Sequence, residues 1–240
     1  MDDFTTTEQY RKCQEIFARS YPDFRNAGEQ YRDLIAEFVT DQTLVLDLGC
    51  GRTSLAAEQI QSAGISVGVD MSFSDLEHNQ IVTYRVLEDG EALAFSDDSF
   101  DLIVSQWSVE HFANPRLVFG QIARVLRPGG KAVLFTTNAY NYIPVLSRFL
   151  GAGTQRLLIS RLLRRAEHES FATYYRANTV HGLRRMCEEV GLRPTEIRYV
   201  GNPFYLAFSP WLFHLALLFE KVTDMPSLNR LKLYMLCVLQ

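Results

Sequence analysis

The stretch VLDLGCGRTS at Val45–Ser54 decides the fold, because an apolar run leads into a turn with two glycines and then into a helical pattern. Glycine at the end of a strand allows positive φ and lets a ligand approach the backbone closely, as in nucleotide-binding α/β folds. A structural turn without a ligand explains the same two glycines equally well. Asp70 follows the loop by about 20 residues, the spacing at which a carboxylate meets both hydroxyls of a ribose. Its alternative role is to cap the next helix.

Around this loop, short apolar runs alternate with amphipathic stretches, which is the pattern of strand–helix–strand units. The pattern predicts strands at Leu44–Leu48, Ser66–Val69, Val82–Val86, Asp101–Ser105 and Ala132–Thr136, and helices at Ser54–Ala63 and Pro115–Leu126. After a gap without strands, it predicts a helix at Thr179–Val190 and a strand at Thr195–Val200. Such units are expected to join parallel strands through right-handed crossovers. The sequence therefore predicts a doubly wound, Rossmann-like α/β sheet.

The loop composition separates two kinds of cofactor. A dinucleotide site normally has a third glycine or an alanine for close packing at the pyrophosphate, and this loop has none. Asp47 would repel a pyrophosphate but can receive a cationic amino group. A cofactor with an amino-acid moiety fits better than a dinucleotide.

Four ordered segments carry a family resemblance: LDLGCG at Leu46–Gly51, GVDMS at Gly68–Ser72, a long segment at Glu88–Pro115 and RVLRPGGKAVL at Arg124–Leu134. In these segments the chain resembles the class I S-adenosylmethionine-dependent methyltransferases, in particular the type 11 methyltransferase domains. The resemblance implies S-adenosyl-L-methionine as cofactor. It also implies a seven-stranded sheet, mostly parallel, whose last strand at Lys232–Leu239 runs antiparallel beside the fifth and sixth.

The resemblance also assigns cofactor roles to individual residues. It places the methionine moiety at Asp47, Gly49 and Gly51, and the ribose at Asp70. One face of the adenine lies on Met71, and its edge lies at Asp89 and the Gly90 backbone. The chain departs from the family pattern at Thr53 and Ala94, where the family often has glycine and proline.

Acceptor-binding residues are expected after the fourth and fifth strands, because open α/β sheets bind ligands at the carboxyl ends of their strands. The substrate-binding candidates are Gln106, Trp107, Asn138, Tyr140, Tyr174, Tyr175 and Arg176. His168 and His111 are the candidates for a catalytic base, since histidine accepts a proton near neutral pH. A structural hydrogen bond is the alternative role for each histidine. No metal site is predicted, because Asp97, Asp98 and Asp101 have the pattern of a surface turn.

The organisation predicted for the 240 residues is a single methyltransferase domain over 1–240. Residues 1–41 form a helical lead-in or lid, 138–176 a substrate-side insertion, and 203–230 an apolar connection before the last strand. With 47% apolar residues and a net charge of −4, the composition argues against disorder and against a nucleic-acid partner. The four widely spaced cysteines indicate reduced thiols, and the acidic N-terminus has no apolar signal region, so a cytoplasmic location is expected.

The predicted function is methyl transfer to a small or lipid-linked organic acceptor, with O-methylation favoured. Five arginines and no acid lie between Tyr142 and Ala166, a composition that suits an anionic bilayer, a phosphorylated acceptor or a solvated helix face. Phe204–Phe219 is shorter than the ~20 residues needed to span a bilayer, so membrane contact is at most peripheral. An NAD-dependent oxidoreductase and a non-catalytic cofactor-binding partner protein remain alternatives. The oligomeric state is left open.

Overall fold

The structure, a computed structural model, describes residues 8–149 and 172–240. Its helices are α1 (Glu8–Ser20), α2 (Ala27–Ala36), α3 (Ala57–Gln61), α4 (Phe73–His78), α5 (Pro115–Val125), α6 (Tyr142–Phe149), α7 (Val180–Val190) and α8 (Pro210–Thr223). Its strands are β1 (Leu44–Leu48), β2 (Ile65–Asp70), β3 (Tyr84–Leu87), β4 (Phe100–Gln106), β5 (Leu126–Thr137), β6 (Pro194–Val200) and β7 (Tyr234–Leu239). From β1 to β5 a helix separates each strand from the next, except that β4 follows β3 without a helix between them.

The seven strands form one sheet in the order β3-β2-β1-β4-β5-β7-β6. β1 pairs in parallel with both β2 and β4. The pairs β2–β3 and β4–β5 are also parallel. Arg193 and Gln240 exchange two backbone hydrogen bonds of 2.7 and 2.9 Å, joining the start of β6 to the end of β7. β7 is therefore antiparallel and lies between β5 and β6. This confirms the fold class and the position expected for the last strand.

Several element boundaries differ from the sequence prediction, among them the starts of β3, α3 and β5. β3 begins at Tyr84 instead of Val82, because the Asn79 side chain accepts from the Val82 backbone N–H and holds that residue in the preceding turn. α3 begins at Ala57 instead of Ser54, because the Ser54 hydroxyl accepts from the N–H of Ala56. β5 begins at Leu126, six residues before Ala132, and its pairing with β4 shifts register in this early part.

The described residues fall into two compact units. The first unit contains residues 8–26, 138–149 and 199–234; the second contains 27–137, 172–198 and 235–240. In the first unit, Cys13, Phe17, Phe213 and Leu217 form a buried cluster that joins α1 to α8. In the second unit the core follows β1, β4 and β5, whose apolar side chains are almost fully buried. The single domain over 1–240 stays a prediction.

The predicted lead-in at 1–41 contains α1 and α2, and the predicted apolar connection at 203–230 contains a 3₁₀ turn at Pro203–Leu206 followed by α8. Among the described residues, no helix is both long enough and apolar enough to cross a membrane.

Candidate active site

The glycine loop after β1 has the conformation that its two glycines allow. Gly49 has φ of +74° and Gly51 has φ of +48°, both in the left-handed region. A Cβ at Gly49 would lie 2.2 Å from the Ser108 hydroxyl oxygen, so only glycine fits there. A Cβ at Gly51 would meet nothing within 4 Å. The space beside Gly51 is thus open to a ligand that approaches the backbone.

Asp70, at the end of β2, anchors this loop. One of its carboxylate oxygens accepts from the Gly51 backbone N–H at 2.8 Å, and the other accepts from the Ser72 N–H at 2.8 Å. Ser72, and not Asp70, caps α4 by accepting from the Asp75 N–H. A carboxylate has about four lone-pair sites, so both oxygens keep capacity for further donors such as ribose hydroxyls.

Asp47 lies at the fourth position of β1 and is only 3% exposed. Burial, together with the negative charge of Asp70, raises the pKa of Asp47 from 3.8 to about 7. A cation that binds next to such a buried carboxyl stabilises its ionised form. The position therefore suits an ammonium group, as the sequence analysis expects.

Tyr31 is a residue that the sequence analysis missed as part of the site. It lies on α2, fully buried, with its ring 5.5 Å from that of Phe135 on β5. Its hydroxyl has no hydrogen-bond partner among the described residues. Burial and the charge of Asp47 both raise the pKa of Tyr31, so the two groups are electrostatically coupled. Helical spacing in the sequence indicates only that Tyr31 is a core position.

The predicted adenine-binding residues lie at the carboxyl ends of β2 and β3. Met71 directly follows Asp70 and is 66% exposed, which is unusual for a large apolar side chain and leaves its surface available to a ring. Asp89 is exposed, and its carboxylate accepts from the Glu91 N–H at 2.9 Å. Gly90 lies against Leu48, because a Cβ there would come within 3.2 Å of that side chain.

The segment after β4 adopts an irregular conformation that supports the glycine loop. The Gln106 side chain accepts from the Leu55 N–H at 2.8 Å, which ties β4 to the residues before α3. Trp107 has a positive φ of 52°, and its ring packs 5.3 Å from that of Phe135. Non-glycine residues at positive φ cost about 1–3 kcal/mol and cluster at functional sites. Trp107 is thus held in a strained position at the end of β4, next to Ser108, whose hydroxyl contacts the Gly49 carbonyl of the glycine loop.

Glu110 organises a buried polar cluster that the sequence analysis did not find. Its carboxylate accepts from the hydroxyls of Thr136 at 2.6 Å and Thr137 at 3.1 Å, both at the end of β5. Its backbone carbonyl accepts from the N–H groups of Tyr174 and Tyr175. The cluster therefore fixes the predicted substrate residues of the 172–178 segment to the carboxyl ends of β4 and β5.

His111, the neighbour of Glu110, has a defined ring orientation. Its Nδ1 lies 3.0 Å from the Ala172 carbonyl oxygen, which can only accept, so Nδ1 carries the proton. In the neutral ring Nε2 then has the lone pair, as a general base requires. The other predicted base, His168, lies outside the described residues.

The remaining substrate candidates differ in their exposure and in how many hydrogen bonds they already make within the protein. Arg176 lies over the exposed Tyr174 ring at 5.2 Å and donates to the Ala113 carbonyl, and Tyr175 has a φ of 52°. Tyr140 is about half exposed. Asn138 is fully buried, and its amide donates to the carbonyls of residues 230 and 232 and accepts from the Tyr140 N–H. These contacts favour a structural role for Asn138 over its predicted role in substrate binding.

The carboxyl ends of β1, β2, β3 and β4 thus bring the glycine loop, Asp70, Asp89 and the Trp107–His111 segment to one edge of the parallel sheet. Within the described residues, no group of three or more His, Cys, Asp or Glu side chains is arranged to hold a metal ion.

Residues 46–134 match the family model described as a methyltransferase domain. The chain is 31% identical over 175 residues to a ubiquinone biosynthesis O-methyltransferase from Aromatoleum aromaticum, covering 69% of this chain and 70% of that protein. It is 31% identical over 151 residues to a malonyl-[acyl-carrier protein] O-methyltransferase from Pseudescherichia vulneris, covering 61% and 60%. The fold is similar to that of a geranyl diphosphate C-methyltransferase from Streptomyces coelicolor, with a TM-score of 0.57, 13% identity and coverage of 87% and 76%. The structure of that enzyme contains S-adenosyl-L-homocysteine.

Proposed function

Because this chain belongs to the class I S-adenosylmethionine-dependent methyltransferases, we propose that it transfers the methyl group to an oxygen atom of a small or lipid-linked organic acceptor. Family membership decides between the methyltransferase and the oxidoreductase that the sequence left open. The choice of oxygen is supported by two relatives whose names specify O-methyl transfer. A cytoplasmic location and the absence of a nucleic-acid partner are part of the proposal and rest on the sequence alone.

The arrangement of Asp70, Gly51 and Asp47 is the observation that carries the proposal. Asp47 lies one residue before the end of β1 and Asp70 ends the neighbouring parallel strand β2, and the loop after β1 leaves open space beside Gly51. Asp70 retains acceptor capacity for the ribose hydroxyls, and Asp47 is a buried carboxyl that an ammonium group would stabilise in its charged form. A ligand with both an amino-acid end and a ribose fits this donor and acceptor set.

Bound S-adenosylmethionine supplies an electrophilic methyl group on a sulfonium, which an acceptor oxygen attacks in line. The protein mainly has to align the reacting atoms and exclude water, an effect that supplies up to about 7–11 kcal/mol. In our proposal Tyr31 donates at the amino-acid end beside Asp47. The open space beside Gly51 and the exposed Met71 complete the cofactor site.

The acceptor is placed at the Trp107–His111 segment and at the residues that Glu110 fixes, Tyr174–Arg176. An acceptor hydroxyl loses its proton when the new bond to carbon forms, so a nearby base assists the reaction. His111 is assigned this role, because its neighbour Glu110 and its own contact with the Ala172 carbonyl place it beside the predicted substrate residues Tyr174–Arg176. The role predicted for His168 is kept as a second candidate.

The proposal is tested by incubating the purified chain with ¹³C-methyl-labelled S-adenosylmethionine and separate aqueous and lipid extracts of cells. We expect labelled product in one extract, with a ¹³C chemical shift typical of a methyl ether or methyl ester. A shift typical of methyl on nitrogen or carbon would overturn the assignment of oxygen.

The matched control for this experiment is Asp70→Ala. It removes the carboxylate that is proposed to accept hydrogen bonds from the ribose, and it leaves the predicted substrate-binding residues in place. Labelling that persists at the wild-type rate in this variant would show that Asp70 does not hold the cofactor. Label found on protein or nucleic acid, and in neither extract, would contradict a small or lipid-linked acceptor.

A further inference from the structure

The outward face of α8 is apolar, although α8 lies at the surface of the first unit. Trp211 is 85% exposed, Leu215 57% and Leu218 58%, and Val222 is also exposed. These residues recur at intervals of three and four along a 14-residue helix, so they form one stripe, which we call the α8 stripe. Met225, exposed just after the helix, continues it.

The opposite face of α8 is already used by the core of the first unit. Phe213, Ala216 and Leu217 are buried there against α1 and the 3₁₀ turn at Pro203–Leu206. A surface helix normally has one apolar face and one polar face, and a helix that is apolar all round is normally covered on all sides. α8 has a buried apolar face and also the exposed α8 stripe, with His214 and Lys221 exposed beside it, so the stripe is available for a second apolar contact.

The neighbouring helix α6 extends this apolar surface. The Tyr142 ring on α6 packs edge-on against the Phe219 ring on α8, with 4.9 Å between their centroids. Val145 and Leu146, on the next turn of α6, are also exposed. Two helices in contact thus both expose large apolar side chains, and large exposed apolar patches are typical of a protein or membrane contact.

The charge distribution selects between these two kinds of partner. The described residues of the first unit carry eight Lys or Arg and five Asp or Glu, whereas the second unit carries twelve and nineteen. The formal charge is thus +3 on the first unit and −7 on the second. In the sequence, Arg148 follows the exposed Leu146 by two residues, and four more arginines follow before Ala166 without an acid. The unit that contains the α8 stripe is therefore the positively charged one.

From these observations we infer that the α8 stripe and the exposed residues of α6 dock onto a membrane surface that contains anionic phospholipid. The helix would lie in the plane of the interface, with Trp211 at the headgroup level and the leucines directed toward the acyl chains. Basic residues of the same unit would add attraction to the anionic headgroups. This inference does not depend on the identity of the methyl acceptor.

The test measures binding of the full chain to vesicles of phosphatidylcholine alone and of equal parts phosphatidylcholine and phosphatidylglycerol. We expect sedimentation with the anionic vesicles, weaker sedimentation with neutral ones, and a severalfold loss of binding in high salt, because salt screens the headgroup charge. The double variant Leu215→Glu/Leu218→Glu should bind the anionic vesicles at least about tenfold more weakly, because two apolar contacts are replaced by charges of the same sign as the lipid.

The matched control is Leu117→Glu, which places the same change at an exposed position of α5 in the second unit and should bind as the wild type does. The chain has two tryptophans, so a blue shift of fluorescence on anionic vesicles should be seen in the wild type and lost in Trp211→Phe. Circular dichroism and S-adenosylhomocysteine affinity should be unchanged in all three variants, since none of these residues belongs to the proposed active site.

Two results would overturn the inference. The first is equal binding of the wild type and the double variant to anionic vesicles. The second is an absence of vesicle binding by the wild type at low salt. This absence can be accompanied by a dimer in sedimentation velocity that the double variant disrupts. In that case the α8 stripe would be covered by a second copy of the chain.

Discussion

Replacing Asp47 with Asn is expected to remove a pH dependence from cofactor affinity. In the free protein the pKa of Asp47 is raised to about 7 by burial and by the charge of Asp70. An ammonium group bound beside it favours the ionised form, so binding lowers this pKa. Below pH 7, ligand binding must then be accompanied by release of a proton from Asp47.

The magnitude follows from the fraction of Asp47 that is ionised before binding. With a pKa of about 7, this fraction is roughly 3% at pH 5.5 and roughly 90% at pH 8. The affinity of the wild type for S-adenosylhomocysteine should therefore fall about 30-fold between pH 8 and pH 5.5, which corresponds to about 2 kcal/mol. Close to one proton should be released per ligand at pH 5.5 and almost none at pH 8.

The assay is isothermal titration calorimetry with S-adenosylhomocysteine at several pH values, in buffers of different ionisation enthalpy so that released protons are counted. Asp47→Asn should bind more weakly than the wild type at pH 8 and should show an almost flat pH profile. The matched control is Glu220→Gln, because burial raises the pKa of Glu220 to about 7 as well, but Glu220 belongs to the first unit. That variant should keep the wild-type slope.

Two results would refute this reasoning. One is a wild-type affinity that is constant from pH 5.5 to pH 8. The other is an Asp47→Asn variant that keeps the 30-fold change, which would assign the titration to a different group.

Three further predictions concern Asp70, Glu220 and His111. Asp70→Ala should weaken S-adenosylhomocysteine binding by about 1–3 kcal/mol in calorimetry, because it removes a charged acceptor and the anchor of the Gly51 N–H; unchanged affinity in a folded variant would exclude the ribose role. The pKa of Glu220 is raised from 4.5 to about 7, so its contribution to stability is present below pH 4.5 and is lost as the pH rises through 7. Between pH 5 and 8 the unfolding free energy of the wild type should therefore fall more than that of Glu220→Gln, and the difference between the two falls should be at most about 3 kcal/mol. Urea titrations at several pH values measure both proteins, and parallel pH curves would disprove this. His111→Gln should lower turnover of the identified acceptor more at alkaline than at acidic pH, because only a neutral imidazole accepts a proton, and an activity ratio that is constant from pH 5 to 9 would leave His111 with a structural role.

The positions of the residues proposed to bind the cofactor were predictable because their signals are local in sequence. The glycines at 49 and 51 stand where positive φ is needed, and Asp70 ends the adjacent strand. Each of these positions follows directly from the alternation of strands and helices. The order of the strands and the antiparallel β7 were predictable only through the family resemblance, since periodicity does not specify which strands pair.

The other half of the site depends on contacts between residues far apart in the chain. Glu110 fixes the 172–178 segment through hydrogen bonds that span about 64 residues of sequence, and no local pattern marks them. Trp107 adopts positive φ although a tryptophan disfavours it, because tertiary contacts such as its packing against Phe135 hold it there. Asn138 also shows this dependence: its place after β5 predicts substrate binding, and the structure adds that its amide donates to the backbone carbonyls of residues 230 and 232.

The most direct test of the central claim is to count both products of the reaction in the same sample. The wild-type chain, an extract that contains the acceptor and labelled S-adenosylmethionine should yield S-adenosylhomocysteine and methylated product in equal amounts. Both products should be lost together in Asp70→Ala. Binding of S-adenosylmethionine by the wild type without formation of either product, in aqueous and in lipid extracts, would contradict the account and identify the chain as a cofactor-binding protein without catalytic activity.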